Sequence, residues 1–492
     1  MNKPDKKNIH RRGFLKSAGG RTVAVSATVS ATLSGAALTF PLTGCGSGNS
    51  ESSSEFTPGP GPERLQTPIP TDQMTYRTHP RSGDRVSLLG YGCMRFPTKT
   101  KVKSATAPYE IDQEVVNELV DYAIAHGVNF FDTSPRYLRG HSERAIGQAL
   151  SRYPRDKFFI STKLSNQAFY GYDEAVQMYQ NSFRDLQVDY FDYYLAHAVG
   201  TFDAFQKRYV QNGVLKFMMN ERKAGRIRHL GWSFHGQKEF FDYMLSPELK
   251  IDGESPNWDF VLIQANYFDW NTATGRTNVN ASYLYDKLEK LGIPVMIMEP
   301  LLGGQLAKPN FKALALMKQA EPEASCASWA FRFIGSFPNV LTVLSGMTYM
   351  EHLQDNLRTF CPMKPLSDAE HEVLRQVTDT MSEFQGINCT QCQYCMPCPY
   401  GIDIPEVFAH YNRCLNEGNF PSDPASENYK RARRAFLIGY DRRVPKLRQA
   451  NHCISCSLCE KECPQFIKIG NEMKKIDNFV ENLKQERGKA GL

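Results

Sequence analysis

Between about residues 74 and 365, short apolar runs alternate with longer segments in which apolar positions recur every three or four residues. The short runs read as buried parallel strands, the periodic segments as amphipathic helices laid over them. Strands are predicted at 86–89, 128–131, 158–162, 190–195, 229–232, 260–263, 293–298 and 340–344. Val116, Leu119, Val120, Ala123 and Ile124 form one helix face, closed by His126 and Gly127. Val176, Tyr179, Phe183 and Leu186 form another, with Asp173 as its expected cap. Eight such repeats predict an α/β fold, a (β/α)8 TIM barrel over 74–365, whose chemistry would sit at the C-terminal ends of its strands. Helical patterns at 369–384 and 404–415 then predict a mainly α-helical domain over 366–492.

A chain of 492 residues has room for two or three domains, and a net charge of +6 argues against nucleic-acid binding as the main role. Part of that charge lies at 430–448, read either as a solvated helix face or as a docking patch for an acidic redox partner. Another part lies in His10-Arg11-Arg12-Gly13-Phe14-Leu15-Lys16, which resembles a twin-arginine export signal. The apolar run that follows is too polar for a convincing membrane span. It ends in Leu42-Thr43-Gly44-Cys45, which resembles a lipobox. Residues 1–45 are therefore expected to be a signal peptide. The mature chain would be periplasmic, held to a membrane through lipidated Cys45, near a membrane redox partner. Residues 46–73, rich in Ser, Gly and Pro, read as a flexible tether.

Eight of the 13 cysteines fall in two runs, Cys389, Cys392, Cys395 and Cys398 before Pro399, and Cys453, Cys456, Cys459 and Cys463 before Pro464. The second run is the C-x2-C-x2-C-x3-C-P signature of bacterial-type ferredoxins; the first is one residue shorter before its last cysteine. Zinc would need only paired cysteines, and disulfides between neighbours this dense are geometrically poor. Two 4Fe-4S clusters fit better. In that signature the fourth cysteine ligates the other cluster, which assigns Cys389, Cys392, Cys395 and Cys463 to one and Cys453, Cys456, Cys459 and Cys398 to the other. The 54 residues between the runs exceed the gap of a compact two-stranded ferredoxin.

Within the barrel, Asp132 and Tyr137 follow the second predicted strand, Lys163 the third and His197 the fourth. These residues, in this order, resemble the aldo/keto reductase family, and the whole chain resembles its bacterial members with a C-terminal ferredoxin domain. The resemblance implies a catalytic tetrad. Hydride reduction of a carbonyl leaves an alkoxide that needs a proton. A tyrosine, with a pKa near ~10, would be tuned downward by a neighbouring ammonium. Lys163 would tune Tyr137, Asp132 would pair with Lys163, and His197 would orient the substrate oxygen. Gly92, Met94, Ser233, Gln264, Leu301, Ser345, Gly346 and Asn356 match coenzyme-contacting positions. Gly346 and His352 stand where a basic pair usually meets the 2′-phosphate of NADP, Met298 where a tyrosine often stacks on the nicotinamide, and Phe234 where a polar residue is usual.

Two functions follow from this pattern. One is an exported iron–sulfur oxidoreductase acting on a carbonyl or alcohol, sugar-derived or otherwise small, with NAD(P) or another tightly held organic cofactor in the barrel. The other is an electron-transfer or scaffold module whose barrel has lost its chemistry.

Overall fold

The computed structural model describes residues 57–99, 110–165, 171–272, 279–383 and 386–489. The twin-arginine motif, the apolar run and Cys45 lie outside these residues. Among the described residues, no helix is long and apolar enough to cross a membrane.

Two short antiparallel strands, β1 (Tyr76–Thr78) and β2 (Arg85–Ser87), precede the barrel. Eight parallel strands then close on themselves: β3 (Leu89–Gly92), β4 (Phe130–Asp132), β5 (Phe159–Leu164), β6 (Phe191–Val199), β7 (Ile227–Phe234), β8 (Phe260–Gln264), β9 (Val295–Met298) and β10 (Val340–Ser345), with β10 beside β3. The strand expected at 86–89 is two elements. Val86 pairs in the antiparallel ribbon and packs with the barrel-interior side chains, whereas Leu89 opens the barrel.

The two-residue period of a strand decides what points inward. Phe130, Tyr193, Leu195, Phe260, Leu262 and Met296 fill the interior, while Phe131, Ile160, Tyr194 and Ala196 pack outward beneath the helices. Continuing the inward alternation to the strand ends brings Asp132 after Phe130, Lys163 after Phe159 and Ser161, and His197 after Leu195. The register Asp132 to Ser161 and Lys163 to Leu195 sets them at neighbouring heights.

The sequence-based boundaries shift at both ends. Within the flexible tether expected over 46–73, the helix Pro62–Gln66 is held on the barrel, where Arg64 reaches Asp355 at 3.5 Å and the Thr359 hydroxyl at 2.8 Å. The helix Asp368–Ser382, assigned to the second domain, buries Leu374 and Val377 in the barrel's core. The second domain has its own core. Val407 and Phe408 from the helix Ile404–Asn416, Phe436 and Tyr440 from Tyr429–Arg443, and Met473, Ile476 and Val480 from Ile469–Lys489 meet there, with the cysteine runs packed against them.

One buried carboxyl outside the barrel wall makes stability depend on pH. Glu143 accepts hydrogen bonds from Thr162 at 2.5 Å and Ser182 at 3.1 Å, and burial raises its pKa from 4.5 to about 7. The folded chain holds this proton more tightly than the unfolded chain does. Stability from this group is therefore complete below the unfolded value and is lost as pH climbs towards the folded one. Glu143→Gln is expected to match the wild-type Tm near pH 4.5 and exceed it by several degrees above pH 7, a difference worth up to about 3 kcal/mol. Equal Tm values at both pH extremes would contradict this.

Candidate active site

Asp132, Tyr137, Lys163 and His197 come together at the C-terminal end of the barrel. Lys163 is fully buried, and its ammonium donates to Asp132 Oδ2 at 2.6 Å and to the Thr133 carbonyl at 2.7 Å. Ser161 donates to the other Asp132 oxygen at 2.8 Å, so both carboxylate oxygens are engaged. Removing one partner strands a buried charge. Lys163→Met is expected to destabilise the protein by about 3–5 kcal/mol, with Asp132→Asn on top recovering part of the loss in thermal unfolding. A single variant as stable as wild type would rule this out.

Lys163 Nζ lies 4.7 Å from the ring centroid of Tyr137. The expected lowering of the Tyr137 pKa is not the net effect in this structure. Burial, then Tyr394, Asp132 and Glu299, push it well above 10. The lysine's hydrogen bonds go to Asp132 and Thr133, and the phenol is held as a neutral acid.

His197 is kept neutral, chiefly by burial and then by the charges of Lys163 and Arg208. Its Nδ1 is met by residues the sequence reading did not single out. The Arg136 amide donates to Ser134 Oγ at 3.3 Å, Ser134 and Ser165 share a hydrogen bond at 2.8 Å, and Ser165 meets His197 Nδ1 at 2.6 Å. The ring is neutral, and with Ser165 as donor to Nδ1 the proton is carried on Nε2, which faces the site. Across from it stands Tyr394, from between Cys392 and Cys395, with its hydroxyl 3.5 Å from Nε2. Only its place inside a cysteine motif was visible in sequence; nothing there signalled that it reaches the barrel.

A cavity of about 650 Å3 opens beside Tyr137 and Asp132 and is lined by Gly92, Met94, Leu301, Ser345, Gly346 and Asn356. Its size suits an organic cofactor. Asn356 donates to Ser345 Oγ at 2.9 Å, which fixes that end of the wall. Ser233 and Gln264, expected at the same cofactor, do not line it. Ser233 accepts from the Ala198 amide at 2.8 Å, and Gln264 is spanned by Asp269 at 2.7 Å and by Gln465 of the second domain at 2.9 Å. The cavity gains cationic side chains that the sequence reading missed, Lys308 and, from the second domain, Arg413.

The eight cysteines separate into two sets across the runs. Cys389, Cys392, Cys395 and Cys463 line one small void, and Cys398, Cys453, Cys456 and Cys459 line another. Apart from burial, the neighbours that raise the Cys392 thiol to about 12 are Cys389, Cys463 and Glu299, and those that raise Cys459 to about 11 are Cys398, Cys453 and Cys456. The two runs repeat one backbone. Gln391 and Gln393 have φ of 54° and 65°, and Ser455 and Ser457 both 58°, left-handed at matching places. Backbone N–H groups of Gln465, Phe466 and Ile467 turn onto Cys463, as Gln391 N does onto Cys389 at 3.4 Å. Thiol quartets with inward N–H groups suit a cluster that needs charge-stabilised sulfur ligands. Among the described residues, no three His, Cys, Asp or Glu side chains gather closely enough for a single metal ion; a cube holds its ligands farther apart.

Comparison with known proteins matches residues 88–379 to the aldo/keto reductase family and residues 388–469 to a 4Fe-4S dicluster domain. An Escherichia coli protein named NADH-specific methylglyoxal reductase is 23% identical over 316 residues, which is 55% of this chain and 90% of the relative. An Arabidopsis thaliana L-galactose dehydrogenase is 24% identical over 331 residues, 62% of this chain and 92% of the relative. The structure of an aldo-keto reductase from Bacillus halodurans in its holo form aligns at a TM-score of 0.48 and 21% identity, covering 62% of this chain and 96% of the other.

Proposed function

The chain belongs to the aldo/keto reductase family, and from that membership we propose that it interconverts a carbonyl and an alcohol in the barrel while exchanging electrons through two 4Fe-4S clusters. That it is an oxidoreductase of this type with an iron–sulfur dicluster domain follows from the two family matches. The substrate, coenzyme and residue roles are the proposal. The observation that carries it is the buried Asp132–Lys163 pair, with Tyr137 and His197, lying directly beneath the first cysteine run.

In the carbonyl-reducing direction, the Tyr137 hydroxyl donates a proton to the substrate oxygen as charge develops there. His197 holds that oxygen through an Nε2 proton, with Ser165 donating to Nδ1. Lys163 offers positive charge beside the phenol ring, and Asp132 holds Lys163 in place. Reduction consumes two electrons and two protons: a nicotinamide, when bound, would supply the electron pair and one proton as hydride, Tyr137 supplies the other proton, and the clusters, when bound, would return the two electrons to the nicotinamide one at a time with a proton from solvent. Cys389, Cys392, Cys395 and Cys463 would hold one cluster and Cys398, Cys453, Cys456 and Cys459 the other. The docking site proposed for an external redox partner is the second cluster, and the exposure of Cys456 with Ile454 and Leu458 supports it.

NAD(P) is the organic cofactor proposed for the 650 Å3 cavity, with Lys308 and Arg413 meeting its phosphates in place of the family's basic pair. The activities for which the two relatives are named support a small or sugar-derived carbonyl or alcohol substrate. Export by the twin-arginine route and anchoring to a membrane through Cys45 are proposed from the sequence motifs.

The occupied Ser233 and Gln264 favour the alternative, a silent barrel serving as scaffold. Full-length protein purified with both clusters decides between them by mass analysis of extracted small molecules and by turnover of methylglyoxal and L-galactose. A bound nucleotide together with Tyr137-dependent turnover is expected. An empty barrel with no turnover would leave the scaffold reading.

A further inference from the structure

Tyr394 belongs to the second domain by sequence and to the barrel's mouth by position. Its hydroxyl approaches His197 Nε2 at 3.5 Å and is hydrogen-bonded to Tyr137. Its ring stands edge-on to the imidazole at 6.2 Å. Arg136, paired with Glu462 at 3.1 Å next to Cys463, lies over the ring at 5.4 Å. One phenol oxygen thus meets both barrel groups that are assigned to the substrate oxygen.

The loop carrying Tyr394 is pinned. Arg95 donates to the Thr390 carbonyl at 2.6 Å and Gln305 to the Cys389 carbonyl at 3.4 Å. Gly303, at φ 65°, packs so tightly that a Cβ there would lie 2.4 Å from Thr390 Cα. Cys392 and Cys395 flank the tyrosine and line the first void. The side chain is not so confined. Tyr394 and Tyr137 both border an open cleft of about 980 Å3 that also touches Arg136, Arg139 and Met396.

We infer that Tyr394 is a residue of the oxidoreductase site supplied by the cluster-binding domain: its hydroxyl holds the place of the substrate oxygen between Tyr137 and His197, and an incoming substrate turns it out into the cleft. Occupancy of the barrel is thereby felt one residue away from a ligand of the first cluster. The inference rests on the proposed carbonyl chemistry.

The test uses full-length protein with both clusters loaded, wild type and Tyr394→Phe, and methylglyoxal as probe. Removing the competing hydroxyl is expected to lower KM three- to tenfold, the scale of one net hydrogen bond, with iron content unchanged. Methylglyoxal is expected to shift the reduced first-cluster EPR signal in wild type and not in Tyr394→Phe. A KM that rises or stays the same overturns the inference. If methylglyoxal is not turned over, the carbonyl reading is what suffers, and the contact is read without substrate. Tyr137→Phe and His197→Gln are each expected to shift the first-cluster signal in the wild-type background and to leave it unmoved in Tyr394→Phe. No shift in either background overturns the inference independently.

Discussion

Tyr137→Phe is expected to lower kcat/KM for carbonyl reduction by about a thousandfold, within the ~10²–10⁴ range for a positioned general acid, while iron content and Tm stay near wild type. The phenol is the only one of the four clustered groups poised to donate to an oxygen and lose nothing structural when cut back. Its hydroxyl meets another tyrosine, whereas Lys163 and Asp132 satisfy each other in the barrel core. Burial holds Tyr137 protonated well past neutrality, so the proton is present whenever a substrate arrives. Steady-state kinetics with the same carbonyl in both proteins checks this, and a loss smaller than tenfold would mean the proton comes from elsewhere.

The second large effect concerns the metal sites. Cys463→Ala is expected to remove the same half of the iron, and the same EPR signal, as Cys389→Ala. Cys398→Ala is expected to behave like Cys453→Ala. The reason is the crossing of the two runs: Cys463 shares its void with Cys389, Cys392 and Cys395, and Cys398 shares one with the later cysteines. Both sets pack against the second domain's hydrophobic core, so losing a cluster should also loosen the helices around it. Iron analysis with EPR of each reduced variant separates the outcomes. If Cys463→Ala extinguished the signal lost in Cys453→Ala, each run would serve its own cluster and the crossed assignment would fall.

Much of this was legible along the chain because strand period and metal-ligand spacing are local signals. The alternation that buries Tyr193 and Leu195 carries on to His197, and the cysteine spacing groups the thiols as the two voids do, Cys463 with Cys389, Cys392 and Cys395, and Cys398 with Cys453, Cys456 and Cys459. What stayed hidden depends on contacts between the two domains. Tyr394 reads as a filler in a cysteine motif, Arg413 as a helix surface cation and Gln465 as a residue after Pro464, yet each reaches a barrel feature. The first barrel strand was misplaced by three residues because Val86 is as apolar as Leu89; only pairing partners separate the ribbon from the barrel. The effect on Tyr137 was misjudged for a related reason. Spacing puts an ammonium nearby, but the degree of burial decides the sign of the shift.

The decisive measurement is anaerobic mixing of the fully reduced, cluster-loaded protein with its carbonyl substrate, following cluster reoxidation by absorbance. Wild-type clusters should reoxidise as alcohol forms, and Tyr137→Phe clusters should stay reduced over the same interval. Reoxidation at equal rates in both proteins would show that the clusters and the barrel pocket work independently.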